Sequence, residues 1–251
     1  MLSKTKKVQS NALYGIFFMI ITGLSFCAMT ASVKSLGTSL PASQSGFLRY
    51  IFGLLLLAPF CHQLGLTGVR KSLVSLMLVR GSLHAIAVVA WFYSMARIPM
   101  TEVTALYYLV PVFVFIGASF YLKEQVTRGR ILCLVISLFG TFLILRPGLR
   151  ELGSGHFVML LATVVFGISF LLAKKATDEV KPLLIVFMLT LTVSIWLAPL
   201  AFIHWVNPSF HELLVLMLIA FFATAAHWAM SMAFKAAPVN VTQPVVFLDL
   251  V

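Results

Sequence analysis

Charged side chains are scarce in this sequence: they make up 10% of 251 residues, and only seven are acidic. Soluble chains carry about 25% charged residues. Here 61% of positions are hydrophobic and the mean hydropathy is +1.05, which excludes a water-soluble domain and makes the lipid bilayer the natural solvent. Cysteine is sparse too. Cys27, Cys61 and Cys133 are odd in number, far apart, and in or beside apolar runs. They read as small apolar fillers, with no disulfide framework, metal site or cofactor implied. The motifs His-Glu-x-x-His and Gly-x-Ser-x-Gly are missing, as is any pair of acids within one span, which argues against a membrane enzyme. The sequence has no ring of charges or filter-like loop to suggest a channel. Its net charge of +11 would suit nucleic acid, but no segment can form a basic face on an aqueous domain, so nucleic acid is excluded as a partner.

What is present is a succession of apolar runs of membrane-crossing length. The first group comprises Ala12 to Val33, Ala42 to Cys61, Gly81 to Ala96, Val103 to Leu122 and Ile131 to Leu145. A second group comprises His156 to Ala173, Pro182 to Ile203 and Leu213 to Phe234, with a ninth span opening near Val239 and reaching Val251. The first run exceeds the roughly 7 to 15 residues of a signal-peptide core and reads as an uncleaved span. Thirteen of the 18 basic residues fall on one side of the spans. Lys34, Arg97, Arg146 and Arg150 fall on the other, and Arg49 lies within span two. By the positive-inside rule this predicts a multi-pass inner-membrane protein with a cytoplasmic amino terminus.

Landmarks recur between the groups. Gly23-Leu24-Ser25-Phe26 returns as Gly167-Ile168-Ser169-Phe170, 144 residues on. Lys34 returns as Lys174 or Lys175, Pro41 as Pro182, and Pro99 as Pro238, at separations of 140 or 141, 141 and 139. An odd number of spans per unit places the second copy upside down. The expected fold is therefore an all-α polytopic bundle, an inverted repeat of two five-helix halves at 11–146 and 155–251. Of ten expected helices about eight and a half are present, and the second half would run to about residue 286. Two nearly equivalent packings of the halves suit alternating access to a central site.

Several stretches carry a family resemblance. They are Leu78-Val79-Arg80-Gly81, Trp91-Phe92-Tyr93-Ser94-Met95-Ala96, Pro99, Val110-Pro111-Val112-Phe113, Leu122-Lys123-Glu124, Gly140 and Arg146-Pro147-Gly148. In order and spacing the chain resembles the EamA-type branch of the drug/metabolite transporter superfamily over residues 11 to 251. The resemblance implies ten helices, both ends cytoplasmic, a substrate cavity between the halves and transport without nucleotide hydrolysis. The second-half counterpart of Glu124 would fall near residue 263 and is absent.

Arg49 is the sharpest site candidate. A cation in a span costs on the order of 2.5 to 3.5 kcal/mol and calls for an offsetting partner, such as a carboxylate or phosphate of the substrate. Asp249, the acid well inside a span, is a candidate partner, cation or proton site. Trp91, Tyr93, Tyr107 and Tyr108, with His227 and Trp228, offer aromatic walls with polar tips for a ring-containing ligand, or else interfacial belts. His84 and His227 are candidate proton relays. Pro111 is expected to kink span four beside the cavity. Glu124, Pro99 and Pro238 are assigned gating or structural roles, and Glu102 reads as a solvated rim residue. Gly15, Gly23, Gly53, Gly117 and Gly140 are expected to let helices approach closely. The expected function is transport of an anionic or zwitterionic, aromatic or nucleoside-like metabolite, with room left for a homodimer. The competing expectation is a non-transporting structural or regulatory membrane protein, or a relative inactivated by truncation.

Overall fold

The computed structural model describes residues 2–37, 39–65, 69–123, 127–145 and 152–250. Every regular element among them is helical. The first six are α1 (Leu2–Leu36), α2 (Ala42–Leu57, continued by a 3-10 turn Ala58–Gln63), α3 (Lys71–Met95), α4 (Met100–Tyr107), α5 (Val110–Tyr121) and α6 (Arg128–Leu145). Then come α7 (Ser154–Thr177), α8 (Pro182–Ile203), α9 (Phe210–Ala236) and α10 (Val239–Thr242), and after α10 a 3-10 stretch Gln243–Leu250. Among the described residues seven spans are long and apolar enough to cross a membrane, with Met100–Tyr121 taken as one. Helices are the expected answer to a solvent without hydrogen-bonding groups, because each satisfies its backbone internally. Their outward faces carry exposed Leu24, Phe120, Phe139, Leu161, Ile195 and Phe210, side chains suited to lipid. The ninth expected span begins at Val239 as one α-helical turn and continues as 3-10 helix.

Proline sets the helix starts. Pro41, Pro99 and Pro238 stand at the N-caps of α2, α4 and α10, and Pro182 is the first residue of α8. At these positions a missing N–H breaks no hydrogen bond within the helix that the proline opens. Pro111 acts differently. It cannot donate to the Tyr107 carbonyl, and its ring crowds that carbonyl, so span four breaks at Tyr108-Leu109 and restarts as α5 with Pro111 in its first turn.

Packing is reciprocal between the early and late helices: α1 lies along α9, α7 along α3, and α2 along α8, while α3 also meets α8 and α2 meets α9. Small residues permit these approaches. A Cβ at Gly15 would stand 2.6 Å from the Ala237 Cβ, and one at Gly81 would stand 2.5 Å from the Thr192 Cβ. Among the described residues nothing lies within 4 Å of a Cβ placed on Gly140.

Two polar residues depart from their expected places. Glu102 is buried, and its carboxylate takes the His156 Nε2 at 2.7 Å, joining α4 to α7 where a solvated rim residue was expected. Arg80, counted with the flanking basic residues, is wholly buried in α3. Its Nε donates to the Ser169 carbonyl at 3.3 Å and its Nη1 to the Ile185 carbonyl at 3.0 Å. Gly81 brings α3 close enough to α8 for that reach. Glu124 lies outside the described residues, as do the side chain of Asp249 and the limits 146 and 251 of the expected halves.

Candidate substrate cavity

A cavity of ≈ 380 Å³ runs from the middle of the bundle toward the end where α1 finishes. That volume falls within the range of small-molecule sites, about 300–1,000 Å³. Its outer reach is bounded by Val33 and Leu36 at the end of α1, Ser45 at the start of α2, Phe92 near the end of α3 and Met100 at the start of α4. Its base is formed by His84 on α3, Phe166 and Phe170 on α7, and His227 on α9. Gln243 and Val246 add a wall from the 3-10 stretch.

Of the residues singled out in the sequence, Arg49, Trp91, Tyr107, Tyr108, Pro111, His84 and His227 line this cavity. Arg49 is half-buried. Its guanidinium carbon sits 4.0 Å above the Tyr50 ring and its Nη1 is 3.9 Å from the Met29 sulfur. It forms no ion pair among the described residues. The break before Pro111 sets Tyr107 and Tyr108 on the cavity wall, where the Tyr107 ring lies 5.7 Å from that of Phe166, edge to face.

The histidines meet at the base. Their ring centroids are 5.4 Å apart in a T-shaped arrangement. His84 packs against Phe166 at 5.0 Å and Phe170 at 6.1 Å, and His227 against Phe26 at 5.4 Å. Ser169 lies between the His84 Nδ1 and the Arg80 carbonyl, 3.3 Å from each, which ties this aromatic floor to the buried arginine. The buried His227 Nδ1 has no hydrogen-bond partner among the described residues. A flat ring inserted here would meet π-faces and edges on several sides, with imidazole nitrogens beneath it and one guanidinium beside it.

Other expected site residues are elsewhere. Tyr93 lies under the Arg97 guanidinium, 3.5 Å from centroid to carbon, and reaches Ser154 at 3.4 Å, away from the cavity. Trp228 turns toward Phe18, with centroids 5.7 Å apart. Pro99 and Pro238 cap helices and do not line the cavity. Phe26, Phe166 and Phe170 form much of the floor, yet in the sequence Phe26 and Phe170 stood out only as repeat landmarks. Their position four residues apart or on matching helices was the available signal.

Comparison with known proteins agrees with this architecture. One solved crystal structure superposes with a TM-score of 0.73 over 96% of this chain and 84% of its own, at 17% identity, a likeness of fold. An S-adenosylmethionine uptake transporter of Rickettsia prowazekii is 24% identical over 95% of this chain and 81% of its own length. A riboflavin transporter of Rhizobium johnstonii is 27% identical, covering 94% and 79%. A pseudopaline exporter of Pseudomonas aeruginosa is 30% identical over 61% of this chain and 53% of its own. These relatives are named as transporters and not as enzymes. The profile of the EamA-like transporter family matches residues 13–146 and 153–251, almost the whole chain. This multi-pass helical membrane protein, with its central aromatic cavity, belongs to the EamA-like transporter family.

Proposed function

We propose that the chain moves a small anionic or zwitterionic metabolite bearing a flat nitrogen heterocycle across the inner membrane, by alternating access between two inverted halves. The observation that carries this reading is the juxtaposition of Arg49, without an acidic partner among the described residues, and a floor of Phe26, Phe166, Phe170, His84 and His227 in one cavity. Arg49 takes the carboxylate or phosphate, and the ring lies on the aromatic floor. S-adenosylmethionine and riboflavin, the solutes in two relatives' names, both contain such a ring. The reciprocal packing of α1 on α9 and α7 on α3 supports an inverted repeat at 11–146 and 155–251. The excess of basic residues at one end supports a cytoplasmic amino terminus, so that the cavity faces the outer side.

Binding to purified protein tests the solute class. S-adenosylmethionine, flavin mononucleotide, riboflavin as a ring without an acid, and an acid without a ring are titrated against intrinsic tryptophan fluorescence, since Trp91 lines the cavity. The reading expects saturable quenching by a solute carrying both groups, and weaker binding by solutes lacking either. Equal binding of all four would contradict it.

A further inference from the structure

Two lysines near the ends of α1 and α7 do different things; they stand 140 residues apart, one helical turn out of step with the 144-residue spacing of Gly23 and Gly167 on the same helices. Lys174, half-buried on α7, donates its ammonium to the carbonyl of Phe234 and, at 3.2 Å, to that of Ala237 at the end of α9. The sequence explains the Phe234 contact. Four residues on stands Pro238, which has no N–H to give the Phe234 carbonyl, and a cation from another helix supplies the donor. The negative pole of α9 adds to the attraction. Lys34 lies 140 residues earlier, near the end of α1, and is exposed, with no hydrogen bond or ion pair among the described residues. The mirror targets also exist: 139 residues before Phe234, Ala237 and Pro238 stand Met95, Ile98 and Pro99. Pro99 denies the Met95 carbonyl its helical donor just as Pro238 denies that of Phe234. The end of α3 is instead served by its own Arg97, whose Nη1 donates to the Tyr93 carbonyl at 3.2 Å.

The cavity accounts for the difference. Its lining includes Val33 and Leu36 near the end of α1 and Trp91 and Phe92 near the end of α3, while the Lys174 ammonium joins α7 to the end of α9. We propose that Lys174 and Lys34 are alternating positioning residues of the transport cycle. Lys174 pins α7 to the last carbonyls of α9 while the cavity faces the end where α1 finishes. Lys34 pins α1 to the Met95 and Ile98 carbonyls of α3 when the cavity faces the other way. This rests on the alternating-access reading above and adds the groups that latch each state.

Cys27 provides the readout, because it is exposed and lines the cavity. In a Cys61→Ser, Cys133→Ser background, a membrane-impermeant maleimide added to the side where α1 finishes reports how often the cavity faces that side. Lys174→Gln is expected to shift the equilibrium away from that side by about fivefold, the size of one helix-terminus charge contact. Slower Cys27 labelling reports that shift. Lys174→Arg retains wild-type labelling, and the Lys34→Gln, Lys174→Gln double variant returns toward it. Labelling of Lys174→Gln at the wild-type rate would overturn the proposal, since a merely structural lysine lowers stability without moving Cys27 exposure. Should Lys174→Gln fail to fold, Lys34→Gln decides: faster Cys27 labelling, from loss of the opposing latch, supports the proposal, and labelling at the wild-type rate overturns it. The labelling needs no solute, so failure of the latch and failure of the solute reading are distinguished.

Discussion

Arg49 and Arg80 show how one side-chain type serves two ends in a bilayer. Each guanidinium costs on the order of 2.5 to 3.5 kcal/mol to place inside a span. Arg80 offsets that with two carbonyls from neighbouring helices, at 3.3 and 3.0 Å, and is closed off from the cavity. Among the described residues Arg49 meets the Met29 sulfur and the Tyr50 ring, and it lines the cavity. Substitution is therefore expected to separate them. Arg49→Ala loses a charged hydrogen bond to solute, about 10- to 100-fold in affinity, with the protein still folded. Measured by fluorescence titration, affinity unchanged in Arg49→Ala would remove it from the binding role. Arg80→Lys keeps a buried charge but loses the planar fork that reaches both carbonyls. It is expected to lower the thermal midpoint in detergent more than Arg80→Met, which removes the charge altogether. The sequence exposed Arg49 because it stands seven residues into an apolar run, whereas Arg80 sits at the edge of one and passed for a flanking charge. Glu102 was misplaced for the same reason. Its burial depends on His156, a partner 54 residues away that no local pattern announces.

The elements follow from short signals that sequence does carry: prolines at helix starts and apolar runs of bilayer length. The break between α4 and α5 is the informative case. Pro111 was expected to kink a span, and the structure shows a tightened turn at Tyr108-Leu109, between α4 and α5, with both tyrosines on the cavity wall. Pro111→Ala restores the missing donor and is expected to extend α4 into α5. Binding should weaken severalfold while the melting midpoint holds or rises, because a helix-breaking residue has been removed. A variant binding as tightly as wild type would separate the interruption from recognition. Gly81→Leu is expected to do the reverse. A Cβ there already falls 2.5 Å from Thr192, so a larger side chain forces α3 off α8, breaks the Arg80 contacts and lowers the yield of folded protein in a size-exclusion profile. The 3-10 form of Gln243–Leu250 was not legible, since an apolar run reads the same whether wound as α or 3-10 helix.

At the scale of the molecule, hydropathy and the spacing of recurring landmarks made the membrane bundle readable before any coordinates. The assembly of the floor was not. Phe26, His84, Phe166, Phe170 and His227 come from four helices, and only packing of α1 on α9 and α3 on α7 brings them to one place. Lys174 stands one turn beyond Phe170 of that floor and ties α7 to the end of α9. The most direct test of transport through this cavity is counterflow in proteoliposomes loaded with unlabelled S-adenosylmethionine or riboflavin and given a trace of the labelled solute outside. The account predicts transient accumulation of at least one labelled solute with the wild-type chain and none with Arg49→Ala. Equal accumulation by both proteins, or none by a folded and reconstituted wild type with either solute, would contradict it.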